Sequence, residues 1–102
     1  MIIKVFKKTY DVQDLSKIGI NNYAFDLVSA IEFMYECVEN KIRILGGDII
    51  NIKNGKASLS YDNWYSQNFV AEESLIDALN FLRHYYETKK GESWKIAITI
   101  DK

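Results

Sequence analysis

The chain has 102 residues, 48% of them hydrophobic and 26% charged, which fits one ordinary globular domain over residues 1–102 and excludes a disordered or low-complexity protein. Its single cysteine excludes an internal disulfide framework and any C-x-x-C metal site, and a net charge of −1 does not suggest nucleic acid as a partner. No apolar run approaches the ~20 residues needed to span a bilayer, and Met1-Ile2-Ile3-Lys4 leads into no apolar leader core, so a cytoplasmic protein in a reducing compartment is expected.

Residues 2–6 have the composition of a short strand, cut off by Lys7-Lys8. The stretch from Asp11 to Ile20 reads as irregular, with one helical turn around Asp14–Lys17 and a break at Gly19. Asn21 or Asn22 is the expected cap of a first helix over Tyr23–Asn40. Its 3.6-residue period puts Leu27, Val28, Ile31, Met34, Tyr35 and Val38 on one side as core. Ser29, Glu32, Glu36 and Glu39 fall opposite, with Phe33 and Cys37 on the flanks. Glu32 and Glu36 repel at i,i+4 with no base near them in sequence, and Glu36 and Glu39 sit at the wrong helix end for the macrodipole.

A strand beginning near Arg43 is interrupted by Gly46-Gly47 and then runs into a hairpin. Asn54-Gly55 marks a type I′ turn, which needs φ > 0 at both central residues. Counting back pairs Lys53 with Lys56, Ile52 with Ala57, Asn51 with Ser58 and Ile50 with Leu59. Ile50, Ile52, Ala57 and Leu59 then share one face, expected to meet the helices, and a slip by one would bury lysines. The same count brings Asp48 opposite Tyr61.

An aromatic, polar loop is expected from Tyr61 to Glu72. Ser74-Leu75-Ile76-Asp77 has the pattern of a capping box opening a second helix over Ser74–Thr88, with Leu75, Ala78, Leu79, Leu82, Tyr85 and Tyr86 inward and His84 outward. Gly91 closes the helical region. Trp94, Ile96, Ile98 and Ile100 alternate with Lys95, Ala97 and Thr99 in a last strand. These elements give a two-layer α+β domain, an antiparallel or mixed sheet of three to four strands with two helices on one face, in the order α-β-β-α-β.

Little here supports chemistry. A lone Cys37 placed mid-helix and a lone His84 facing outward build no nucleophilic site. Gly46-Gly47 lacks the residues of a phosphate loop. Asp48 and Asp62 would form a carboxylate pair across the hairpin's open end, which leaves a small enzyme as one reading. No cofactor, metal or small-molecule substrate is expected.

A helix running into Ile44-Leu45-Gly46-Gly47-Asp48, a hairpin, and then Tyr61-Asp62-Asn63-Trp64-Tyr65 resembles the immunity protein 40 family, the cognate antidotes of bacterial polymorphic toxins. Gly19-Ile20-Asn21, Ala30-Ile31 and Glu73-Ser74 agree with it, so the resemblance runs over roughly residues 19–88. It implies a cytoplasmic protein that binds one toxin domain and neutralises it by occlusion, with no catalysis of its own. A different reading is an adaptor domain for a protein partner unrelated to any toxin. Two contact surfaces are candidates. One is the acidic stripe of Ser29, Glu32, Glu36 and Glu39 bordered by Phe33, which would imitate a phosphate backbone before a basic toxin active site. The other is the corner where Asp48 meets Asp62, Asn63, Trp64 and Tyr65, with Trp64 expected to serve chiefly as a plug for the core.

Overall fold

The computed structural model describes residues 1–89 and 91–101. Strands β1 (Ile2–Val5) and β2 (Lys8–Asp11) form an antiparallel ribbon of their own. There follow β3 (Gln13–Asp14), a 3-10 turn (Ser16–Ile18), β4 (Tyr23–Phe25), helix α1 (Leu27–Glu39), β5 (Ile44–Lys53), β6 (Lys56–Tyr65), helix α2 (Ala71–Thr88) and β7 (Trp94–Ile100). The sheet has five strands in the order β3-β4-β7-β5-β6, every neighbouring pair antiparallel. It exceeds the expected three to four strands because β4 pairs with β7 and β3 with β4, both within stretches read as irregular or helical. Runs of two and three residues carry no alternation that a sequence pattern would reveal.

The hairpin turn is as expected, with Asn54 at φ 52° and Gly55 at φ 75° and all four pairs from Lys53↔Lys56 to Ile50↔Leu59 in place. Beyond them the register departs from the simple count. Asp48 pairs with Asn63, not Tyr61, because Ile49 alone lies across from Ser60, Tyr61 and Asp62. This bulge also carries β6 on to Tyr65, where a loop was expected.

The layering corrects a second expectation. Ile44, Ile49, Ile96 and Ile98 join the core beneath the two helices. Ile50 is fully buried but faces the other way, in a smaller cluster with Leu15, Ala24 and Ala97, lined by Ile18, Ile20, Ile52 and Ala57. Alternation tells which residues share a face, not which segment covers that face. Here the 3-10 turn region covers it, and Leu59 stays partly open.

Helix α1 starts four residues later than expected. Asp26 is its cap and accepts from the Ser29 N–H at 2.8 Å, while Tyr23–Phe25 belongs to the sheet and the Asn22 amide donates to the Ile98 carbonyl. Its phase is also rotated. Ala30, Phe33, Met34 and Cys37 are buried, whereas Val28 and Tyr35 are exposed. The ribbon is the reason. Tyr10 of β2 sets its ring edge-on to both Phe25 and Phe33, which lie stacked 4.8 Å apart, so α1 is covered from a second side.

Helix α2 begins at Ala71, a turn before the presumed capping box. Ser74 is buried instead. Its hydroxyl donates to the Ala71 carbonyl and accepts from the Ile44 N–H at 3.0 Å, which ties α2 to the start of β5. Asp77 accepts from the Ser66 hydroxyl and the Asn68 amide. Leu75, Ala78 and Leu82 are inward and His84 is exposed, as the period requires.

Leu82→Ala should therefore lower the unfolding free energy by about 2–5 kcal/mol, and His84→Ala should change it by no more than about 0.5 kcal/mol. Urea denaturation followed by circular dichroism measures both, and equal midpoints would contradict this helix phase.

Candidate functional site

The pairs Gly46↔Tyr65, Gly47↔Trp64 and Asp48↔Asn63 place the two family-like motifs side by side. Strand alternation then divides them. Trp64 turns into the helix layer, is 7% exposed and stacks on Phe81 with ring centroids 5.1 Å apart. The row of rings continues through Tyr85, 5.7 Å from Phe81, to Trp94 of β7, 5.0 Å further and edge-on. A side chain on Gly47 would overlap the far edge of the Trp64 indole, and one on Gly46 would overlap the Trp64 carbonyl. The paired glycines thus serve close packing, and Trp64 plugs the core. Its indole N–H has no hydrogen-bond partner among the described residues.

Asp48, Asn63 and Tyr65 share the opposite face, and all three are exposed. Tyr65 and the bulge residue Tyr61 are 78% and 84% exposed. The bulge is held from inside. The Ser60 hydroxyl donates to the Ile49 carbonyl at 2.7 Å and accepts from the Asp62 N–H, and Asp62 in turn accepts from the Tyr85 hydroxyl at 2.8 Å. Burial first, then the hydrogen bond to Asp62 and its charge, pushes the Tyr85 hydroxyl up to about 12 from its ordinary 10. Asp62 is therefore turned towards α2 while Asp48 faces away from it, and the carboxylate pair expected across the hairpin does not form. After Tyr65, only residues 66–70 are loop. Ser66 and Asn68 anchor that loop on Asp77, and Phe69, 89% exposed, lies under the Arg43 guanidinium at 5.1 Å.

The acidic stripe on α1 is broken up. Phe33 is buried and does not border it. The Glu36 side chain is only 15% exposed and pairs with Lys8 of the ribbon at 3.6 Å, so a base does offset the Glu32–Glu36 repulsion. Ser29 is half-buried, which leaves Glu32 and Glu39 in the open. The ribbon's Tyr10 lies close enough that burial, and after it Glu36 and Glu32, raises its hydroxyl pKa.

The remaining reactive groups are poorly placed for catalysis. Cys37 is fully buried, and burial followed by Glu36 pushes its thiol up to about 11. Among the described residues, no three His, Cys, Asp or Glu side chains gather as a metal site would require. A cleft of about 430 Å³ between the ribbon and the sheet is lined chiefly by apolar side chains, including Ile3, Val5, Phe25 and Ile98. Among the described residues, no helix is long and apolar enough to cross a membrane.

The family model described as Immunity protein 40 matches residues 14–100. The chain belongs to the immunity protein 40 family. No curated protein and no solved structure matches it. The family match is wider than the resemblance read over residues 19–88; it runs from Asp14, the second residue of β3, to the end of β7 and leaves the β1–β2 ribbon outside. Within the family region, Ser60 and Tyr85 are the corner residues that sequence reasoning missed. Tyr85 lies 23 positions from Asp62, and no local pattern announces that bond.

Gly47→Ala should destabilise the fold by about 1–3 kcal/mol, as overpacking does, because the indole above it is clamped against Phe81. The same change at Gly46 meets backbone and should cost at least as much. Thermal melting checks both, and an unchanged midpoint for Gly47→Ala would contradict the contact.

Tyr85→Phe should cost about 1 kcal/mol at pH 8 through loss of the bond to Asp62. A raised folded pKa means that the fold prefers the neutral phenol. This stabilisation is complete below pH 10 and is lost as pH rises from 10 towards 12. Melting temperatures of wild type and Tyr85→Phe should therefore converge above pH 10, and a constant gap up to pH 12 would contradict the assignment.

Proposed function

We propose that this chain is an immunity protein that binds a cognate bacterial toxin domain in the cytoplasm and neutralises it by covering it, with no chemistry of its own. The observation that carries this reading is family membership over residues 14–100. The side chains agree with it. Asp48 and Asp62 face apart, Cys37 is sealed in the core as a thiol, and His84 is exposed on the outside of α2. A binder of this kind needs a complex burying ~1,200–2,000 Å² with a few well-placed anchors. The exposed tyrosines of the Asp48–Asn63 corner are residues of that type. The partner is a protein, and no step requires a cofactor, nucleic acid or membrane.

The test is co-expression with the toxin domain encoded by the neighbouring gene. Cells making both proteins should grow as cells without the toxin do, and the inactivated toxin domain should co-elute with this chain in gel filtration. Killing that proceeds unchanged while both proteins are soluble would overturn the reading.

A further inference from the structure

We infer that the bulged corner of β6 is the surface that meets the toxin, and that it is built to receive a basic protein surface, arginine side chains above all. The inference rests on the immunity reading and adds to it a location and a partner chemistry.

Three large rings, Tyr61, Tyr65 and Phe69, stand almost fully in solvent within nine residues of chain. Rings of this size ordinarily seek burial, and exposed aromatic side chains of this kind are the commonest anchors of interfaces. Their backbone is held in place. Tyr61 sits at φ 68°, a left-handed conformation that is unfavourable for a bulky residue outside glycine, asparagine and aspartate. The Ser60 and Asp62–Tyr85 hydrogen bonds fix the bulge around it. Glycine would hold the same backbone with less strain, so what tyrosine adds at this position is its ring. Phe69 is held by Arg43, which is also paired with Asp101 at 3.7 Å.

Along the chain that carries these rings the charge has one sign, and the base set over Phe69, Arg43, is already paired with Asp101. From Leu59 to Leu82 the chain carries Asp62, Glu72, Glu73 and Asp77 and no lysine or arginine. Asp62 and Asp77 are engaged internally, whereas Glu72 and Glu73 are exposed at the start of α2 and Asp48 is exposed on the same face as Tyr65. Aromatic faces flanked by free carboxylates attract guanidinium and ammonium groups through cation–π and ionic contact together. The stripe on α1 is thinner, since Lys8 already occupies Glu36 and Phe33 is buried, which leaves one half-open ring, Tyr35, beside Glu32 and Glu39 against three open rings at the corner. The bulge also interrupts the outer edge of β6, which favours insertion of side chains over addition of a partner strand.

The experiment uses the full chain and, as probe, the toxin domain encoded beside it with its activity removed by mutation, studied by stopped-flow and calorimetry. Tyr61→Gly keeps the bulge backbone and should melt no lower than wild type while weakening the complex by roughly tenfold or more. Tyr65→Ser should do the same. Asp48→Lys with Glu72→Lys should slow association and flatten its salt dependence. Glu32→Lys with Glu39→Lys should leave both rate and affinity as they were. If wild type binds and the folded Tyr61→Gly and Tyr65→Ser variants bind as tightly, this location is wrong and the immunity reading stands. Loss of binding on reversal of Glu32 and Glu39 alone would place the interface on α1 and reject the corner. If wild type itself fails to bind, the toxin reading falls and this inference falls with it.

Discussion

The structure depends on the edge of an indole set against a bare backbone. Trp64 reaches into the helix layer only because Gly47 beside it has no side chain, and Gly46 lets the Trp64 carbonyl come close. From that contact a row of rings crosses the domain, from Trp64 on β6 through Phe81 and Tyr85 on α2 to Trp94 on β7. Aromatic contacts of this kind add to what area burial alone provides. The row also reaches the surface, because Tyr85 in its middle holds Asp62 and so the bulge. Packing inside the domain thus sets where the outermost tyrosines stand. A motif that looks like a binding signature is, for its glycines and tryptophan, a packing device, and its exposed members are displayed as a consequence.

Much of this was legible in the residues. Asn54-Gly55 gave the turn and the first four pairs, since few dipeptides accept two positive φ angles in succession. The alternation of Trp94–Ile100 and the inward row of α2 from Leu75 to Tyr85 were equally plain, whereas Tyr86, expected inward, is exposed. What remained hidden depends on contacts between distant parts of the chain. The bulge answers to a serine hydroxyl bonded across the strand pair and a tyrosine on another element, so a simple count misplaced Asp48. The phase of α1 depends on Tyr10, and a helix covered from two sides does not keep the single stripe of a surface helix. The capping-box pattern at Ser74 failed because the serine was needed by Ile44. Both motifs at the candidate corner were visible in sequence, but which of their residues face outward could be read only from the true register.

The ribbon deserves separate weight. It lies outside the family match, yet Tyr10 is nearly fully buried against α1 and β4. It hides Phe33, neutralises Glu36 and walls the apolar cleft in front of Ile98. The ribbon in this way decides which surface of α1 is free, without entering the five-stranded sheet.

The position of β7 has a consequence for synthesis. β7 is made after β4 and β5 yet sits between them, and they pair with it and not with each other. While the chain is emerging from the ribosome, the hairpin can close early, but β5 then shows an open edge carrying Ile44, Ile49 and Ile50, and the first helix has only half a sheet to rest on. Unpaired edges of this kind invite association with other chains, and pairings distant in sequence form late. The sheet therefore closes only after translation has passed residue 100, and until then the two halves that β7 joins stay apart.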